Sequence, residues 1–435
     1  ELSGPPPPGG YTHVQPLHAV IKPGKKPRIC VDLSRNMNDS LEDLPFKYSS
    51  VADAVALSDS VGGRVWYVKL DISSCFLSFP LHPDEVGFYR CRGTEGEMME
   101  FTSMVFGLKS APRICSLLLD VVSSRLRDLG VLHVRYLDDF LLLSDTKEGA
   151  ARCAMLAARV LKDFGLALSV DKTEGPSQRI EFLGIVLDSR DQSLSISRKR
   201  KKELLDILQS FLAKSYSSLN QLQSLLGKLS FAATVLPGAR PFTRRIIDLI
   251  KGARGRAFIG LDEPFKEDLI YWRACIGDWN GRQRWRRGRG APCVFGSDAS
   301  TEGFGYVLES APPELVAALP LHMRPSHTRV GVWSAFNGDA MKQQSCKFIA
   351  RGEMFCTVAA VTEYGSLLAN RHVIFMIDNN SDANVINRQS SRKADVCKLL
   401  RALCDKSLQH NFTFSAVHRR GENNSLMELS YHVSL

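Results

Sequence analysis

The spacing of apolar and polar positions changes character along the chain, and each change predicts a different kind of element. From Arg28 to Leu187, short β-rich runs (Ile29 to Leu33, Val65 to Leu70, Val134 to Leu143, Ile180 to Leu187) are interleaved with helical patterns at Ser49 to Leu57, Ala111 to Leu129 and Lys147 to Phe164. That interleaving predicts an α+β domain. Ahead of it, the apolar segment Ala19 to Lys22 and the basic turn Pro23 to Arg28 predict a hairpin, and the Pro/Gly-rich stretch to Gly10 reads as a tail or arm. From about Ser197 to Ile250 the strand signal is lost and leucines recur at helical spacing (Leu204, Leu205, Leu208 and Leu212, then Leu219, Leu222, Leu225 and Leu226), which predicts a helical module. After Lys251, Gly, Arg and Trp accumulate, with Arg282, Arg284, Arg286, Arg287 and Arg289 around Trp285; a linker and a polyanion-contacting loop both fit that composition. Strand and helix patterns alternate again from Pro292 to the end. The expected organisation is 1–190, 191–250, 251–290 and 291–435.

Composition narrows the class. With 435 residues, 44% apolar and 23% charged, the chain is globular and too long for one core. The richest apolar runs are broken by charges, so none reaches the ~18 residues of a membrane span. Lys and Arg number 56 against 46 Asp and Glu, a net charge of +10 that favours a polyanionic partner. The eleven cysteines are scattered singly from Cys30 to Cys404 without a C-x-x-C pair, which disfavours zinc sites and a disulfide framework. Reduced thiols in an intracellular compartment, cytoplasm or nucleus, are the expectation. The opening Glu-Leu-Ser-Gly lacks an initiator Met and reads as a fragment of something longer.

Acids stand where acids are costly. In Val68-Lys69-Leu70-Asp71-Ile72, Asp71 ends an apolar strand, and Asp138 and Asp139 lie inside the apolar run Val134 to Leu143. Taken singly, Asp71 fits a solvated strand end and the pair fits a tight turn. Taken together, acids at a hairpin turn and on a neighbouring strand can converge, and clustered carboxylates repel unless a cation lies between them. Hard oxygen ligands with room for substrate phosphates are what Mg²⁺ selects, and a pair of such ions can activate a hydroxyl and stabilise a leaving pyrophosphate.

Tyr136-Leu137-Asp138-Asp139 and the upstream Asp71 resemble the catalytic palm of a reverse transcriptase. Lys26 to Asn38 resembles the fingers segment that holds the triphosphate, and Phe106-Gly107-Leu108-Lys109-Ser110-Ala111-Pro112 the motif under the incoming nucleotide. Phe182-Leu183-Gly184 resembles the primer-grip region, and Lys172 matches the lysine ahead of it. The resemblance implies a right-hand polymerase of fingers, palm and thumb. Asp71, Asp138 and Asp139 would be catalytic metal ligands; Arg28, with Lys22 as a weaker candidate, the phosphate ligand; Phe76, Phe106, Gly107 and Lys172 nucleotide-binding. A bulky ring at Phe76 would clash with a ribose 2′-hydroxyl and select deoxynucleotides; as a residue alone it also reads as an ordinary core Phe. The block Arg198 to about Ile250 resembles the thumb of gypsy-like and DIRS-like enzymes, and its basic residues, like Arg282, Arg284, Trp285, Arg286 and Arg287, would meet nucleic acid.

The last segment resembles ribonuclease H, which implies an α/β domain with Asp298, Glu353 and Asp378 as metal ligands and His418 as the loop histidine that assists product release. On the sequence alone His418 also fits a phosphate contact or a bystander. Where that family carries a fourth acid, this chain has Met427, with Glu428 one position on and ~100° around a helix. The implied cofactors are two Mg²⁺ per site, with Mn²⁺ as alternative; the implied partners are RNA template, DNA primer, RNA–DNA hybrid and dNTPs, and no membrane. The wording Ser-Asp-Ala-Ser-x-x-Gly-Phe-Gly is similar to DIRS-like retrotransposon enzymes, with gypsy-like and hepadnavirus-like relatives. The function expected is therefore RNA-directed DNA polymerisation with a ribonuclease H weakened by Met427. A non-catalytic nucleic-acid scaffold is the rival from another class, disfavoured by retention of all three polymerase acids.

Overall fold

The computed structural model of the chain describes residues 14–419 except 22–26, 35–36, 63, 94–95, 237, 254–256, 279–282, 285–290, 300–302, 326 and 333–344. The chain divides into two compact units, Glu1–Gln192 and Ser193–Leu435.

The first unit opens with the expected hairpin: β1 (Leu17–Val20) pairs antiparallel with β2 (Arg28–Val31). It continues with α1 (Val51–Val61), β3 (Trp66–Asp71), α2 (Ala111–Asp128), β4 (Leu132–Tyr136), β5 (Asp139–Ser144), α3 (Lys147–Asp163), β6 (Glu174–Ser177), β7 (Arg179–Phe182) and β8 (Ile185–Asp188). A four-stranded antiparallel sheet runs β4-β5-β3-β6. Phe140 to Leu143 of β5 are all buried because both faces of the sheet are covered. Val68, Leu70, Phe140 and Leu142 share a core with Cys115, Leu119 and Val122 of α2 and Ala157 and Leu161 of α3. On β3 the neighbouring Tyr67 points the other way, where its hydroxyl lies 3.0 Å from that of Ser58 in α1. The run Val134 to Leu143, continuous in apolarity, is thus a hairpin whose turn carries Leu137 in the left-handed region (φ 51°).

The second unit begins with helices α4 (Arg198–Leu212), α5 (Leu219–Ala232) and α6 (Arg244–Gly252), in the region expected to be helical. Ser218 and Gln221 form a capping box that starts α5. The stretch expected to be a linker is only partly one: α7 (Glu263–Asp278) occupies its middle, with Phe265, Leu269, Trp272 and Ile276 buried at four- and three-residue spacing. The indole of Trp272 donates to the Phe242 carbonyl at 3.3 Å. Asp268 of α7, 2% exposed, is held by Arg245 of α6 at 3.2 Å.

Then follow β9 (Cys293–Ala299), β10 (Gly303–Ser310), β11 (Thr328–Val332), α8 (Ser345–Tyr364), β12 (His372–Ile377), α9 (Asn380–Arg388), α10 (Ala394–Gln409) and β13 (Thr413–His418). The sheet order is β11-β10-β9-β12-β13, antiparallel on the β10 side of β9 and parallel through β12 to β13. Met354, Cys356, Val361 and Tyr364 of α8 join Phe295, Val373 and Phe375 of the sheet in one core. Arg401 of α10 also bridges to Asp268 at 2.8 Å, so α6, α7 and α10 meet at one buried carboxylate. Among the described residues no helix is long and apolar enough to cross a membrane.

Candidate active site

Register places the first-unit acids. Asp71, the last residue of β3, is the direct cross-strand partner of Asp139, the first residue of β5, so both carboxyls leave the same face of the sheet. Asp138 sits in the turn between β4 and β5, and its carbonyl accepts from the Ile72 amide at 3.0 Å, which ties the turn to the end of β3. The Lys172 ammonium reaches Asp71 Oδ1 at 2.6 Å, while Ser169 N donates to the Asp71 carbonyl at 2.8 Å. Asp71 is only 7% exposed, so this ion pair is solvated chiefly from the lysine side. Burial, reinforced by Asp138 and by Asp71, pushes the Asp139 carboxyl up to about 6; burial also raises Asp138, helped by Asp71 and opposed by Lys172 and Arg28.

The aromatic and glycine positions assemble beside β2. Phe76, in the 3-10 turn Cys75–Ser78, meets Phe106 edge to face at 5.2 Å, and the Arg28 guanidinium lies 5.8 Å over the Phe106 ring. The Phe106 carbonyl accepts from Val31 N at 2.9 Å. Gly107 has φ 112°, and a Cβ there would run into the Val31 carbonyl, so only glycine lets this loop lie against β2. Asn38 fixes the same loop, donating to the Gly107 carbonyl and accepting from Lys109 N, both at 2.9 Å. Arg28, Phe76, Phe106 and Gly107 therefore form one group, and Lys172 belongs with the acids. Lys22 lies outside the described residues.

The second unit gathers its own carboxyls. Asp298 lies within β9, paired with Gly305 of β10; Glu353 lies in the middle of α8; Asp378 follows β12 directly. Glu353 is 2% exposed, and burial together with the adjacent Asp378, Asp382 and Asp298 drives its carboxyl up to about 10. Asp382, in the first turn of α9, is an acid that the sequence reading passed over; burial raises it to about 6, against the field of Lys393. Glu353 Oε2, Asp378 Oδ1 and Asp382 Oδ2 are buried without a hydrogen-bond partner. His418 ends β13, exposed, with Nε2 2.9 Å from the Asp378 carbonyl oxygen. Met427, Glu428, Arg282, Trp285, Arg286 and Arg287 lie outside the described residues, and Arg284 is described only as part of the two-residue strand Gln283–Arg284.

Among the described residues no three His, Cys, Asp or Glu side chains form a ready metal-coordinating set. In the first unit the Lys172 ammonium takes Asp71 Oδ1. The donor chemistry still fits a hard cation in both units, since all the groups are carboxyls and three of the buried oxygens in the second unit are unsatisfied.

Comparison with known proteins bears on the first unit most directly. Residues 20–187 match the family model described as "Reverse transcriptase (RNA-dependent DNA polymerase)". The chain is 26% identical to the Gag-Pol polyprotein of avian reticuloendotheliosis virus over 51% of its own length and 19% of that protein. It is 24% identical to the Pro-Pol polyprotein of simian foamy virus type 1 (58% and 20% covered) and 25% identical to Protein P of duck hepatitis B virus (42% and 21% covered). The chain thus spans about a fifth of the length of these curated relatives. Among solved structures it is similar to the foamy viral protease-reverse transcriptase in complex with dsDNA, with TM-score 0.54 and 17% identity over 93% of this chain and 77% of that one. It is similar also to that enzyme in complex with an RNA/DNA hybrid, with TM-score 0.53 and 17% identity over 95% and 51%. The fold is accordingly an α+β polymerase fold, and residues 20–187 carry a reverse transcriptase domain with retroviral and hepadnaviral polymerase relatives.

Proposed function

We propose that the chain is an RNA-directed DNA polymerase that extends a primer with dNTPs, and that its second unit is a ribonuclease H-like nuclease acting on RNA–DNA hybrids. The observation that carries the polymerase reading is the register pair Asp71 and Asp139 with Asp138 in the adjoining turn. These three carboxylates would hold Mg²⁺, which when bound lowers the barrier to attack by a primer hydroxyl and neutralises charge on the leaving pyrophosphate. The chain's own residues do the rest. Arg28 presents a guanidinium to a triphosphate from the edge of β2, and Phe106 holds that guanidinium over its ring. Phe76, braced by Phe106, stacks under the sugar and excludes a 2′-hydroxyl. Lys172 pairs with Asp71 in its buried position and so holds that carboxylate at the end of β3.

The nuclease reading is supported by the sheet order β11-β10-β9-β12-β13 with Asp298, Glu353 and Asp378 on three neighbouring elements. The complexes of the foamy viral enzyme with dsDNA and with an RNA/DNA hybrid make those duplexes the substrates to try. The +10 charge suits such partners. Primer extension on an RNA template with dNTPs and Mg²⁺ tests the reading. Asp138→Asn should lower incorporation more than about 100-fold, since even residues behind a metal's ligands typically cost 10- to 100-fold. Activity of that variant within tenfold of the parent would overturn the assignment.

A further inference from the structure

The second unit brings a further buried acid to the group of Asp298, Glu353 and Asp378, on an element where the sequence pattern did not look for one. Asp382 is four residues past Asp378, on α9, and is 3% exposed. An acid in the first turn of a helix ordinarily serves the helix, exposed and accepting from free backbone amides. That duty is already met here, because the Asn379 side chain caps α9 by accepting from Ser381 N at 2.9 Å. Asp382 turns inward, and its Oδ2 is buried without a partner.

Its position is fixed by the helix rather than by chance. The Asn387 amide donates to the Ala416 carbonyl at 2.8 Å and accepts from Ala416 N at 2.9 Å, which locks α9 to β13. Ala383 and Ile386 anchor the same helix in the core. With α9 so held, Asp382 is directed at Glu353, whose Oε2 is also buried and unpartnered, and Asp378 Oδ1 is a third such oxygen beside them. Glu353 hydrogen-bonds the side chains of Asp378 and Asp382, yet one oxygen of each of the three remains buried without a partner, an arrangement whose desolvation a shared cation would offset.

We infer that Asp382 contributes a carboxylate oxygen to the divalent cation of the second unit, beside Glu353 and Asp378, and so supplies from α9 a fourth acid in addition to Asp298. The inference rests on the nuclease reading above, and its test separates the two. The probe is MnCl₂ alone, titrated into the full chain without nucleic acid and followed by the electron paramagnetic resonance signal of free Mn²⁺, in a background of Asp138→Asn with Asp139→Asn to weaken the first-unit site. Asp382→Asn should weaken Mn²⁺ binding about tenfold, while Asp382→Glu, which retains the charge, should lose less. Without Mn²⁺ the melting temperature of Asp382→Asn should equal or exceed the parent's, because a buried charge among other carboxyls has been removed; with Mn²⁺ its rise should be smaller. If Asp298→Asn weakens binding and Asp382→Asn does not, the inference on Asp382 fails and the nuclease metal site stands. If neither variant changes Mn²⁺ affinity, the metal-site reading fails and takes the inference with it. A Mn²⁺-free melting temperature several degrees below the parent's would mark Asp382 as a structural acid and overturn the proposal as well.

Discussion

The two acid clusters of this chain use the same side chains and compensate their charge differently. In the first unit Asp71 is paired with the Lys172 ammonium at 2.6 Å, and two of its three acids stand at a hairpin turn, half-buried. In the second unit Glu353 and Asp382 are nearly fully buried, and an unpaired oxygen remains on each of Glu353, Asp378 and Asp382. A cluster with an internal cation can be stable before it meets metal. Burial raises both clusters, but Asp378, Asp382 and Asp298 add to it at Glu353, which reaches about 10, whereas Lys69 and Lys172 oppose it at Asp139, which reaches about 6. The difference teaches that one donor chemistry can be compensated by a lysine at its edge in one unit and left with unpaired buried oxygens in the other.

The strongest way to break this comparison is to silence each cluster separately. Asp71→Asn should reduce RNA-templated dNTP incorporation by more than about 100-fold and leave cleavage of an RNA–DNA hybrid within a few-fold; Asp298→Asn should do the reverse. Loss of both activities from either variant would break the comparison.

Protons provide the next largest contrast. A carboxyl whose folded value is raised stabilises the fold fully below its unfolded value and loses that contribution as pH rises through the folded one. For Asp139 the window runs from 3.8 to about 6, and for Glu353 from 4.5 to about 10. Metal-free thermal unfolding should therefore decline across both windows, with the decline above pH 7 belonging to the second unit. Glu353→Gln should flatten the alkaline part, raising the midpoint at pH 9 by about 3 °C or more. A parent whose midpoint is level from pH 7 to 9 would remove Glu353 as a proton holder.

Smaller effects sharpen the first unit alone. Phe76→Val should raise incorporation of rNTPs relative to dNTPs by roughly tenfold, the scale of a few methyl groups removed from a steric contact; an unchanged ratio would return Phe76 to the role of a core ring. Lys172→Ala should destabilise the metal-free protein by only about 1 kcal/mol, because the lysine is largely exposed although its partner is buried. A loss recovered by added Mg²⁺ would show that the ammonium and the metal neutralise the same carboxylate.

Much of the site was legible because its residues are local in sequence. The hairpin bearing Asp138 and Asp139, the strand ending in Asp71, and the Phe106 to Pro112 loop are each short segments in which acids, rings and a glycine interrupt a periodic apolar pattern. The helix α7 was missed because Gly and Arg around it outweighed a periodicity that Phe265, Leu269, Trp272 and Ile276 do carry. Asp382 was missed for a different reason. Its only sequence signal is an acid in the first turn after a strand-end acid, and such acids are usually solvated caps.

By itself, then, the sequence determined the strand and helix periodicities, the class of fold and the identity of the acids, since these follow from side-chain chemistry at short range. Only the tertiary structure decided which acids meet. Cross-strand register set Asp71 opposite Asp139, a lysine 101 residues away closed that pair, and the docking of α9 on β13 through Asn387 turned Asp382 inward. Burial and like-charge proximity arise between segments distant in the chain, so the charge state of each cluster is a property of packing that no local pattern encodes.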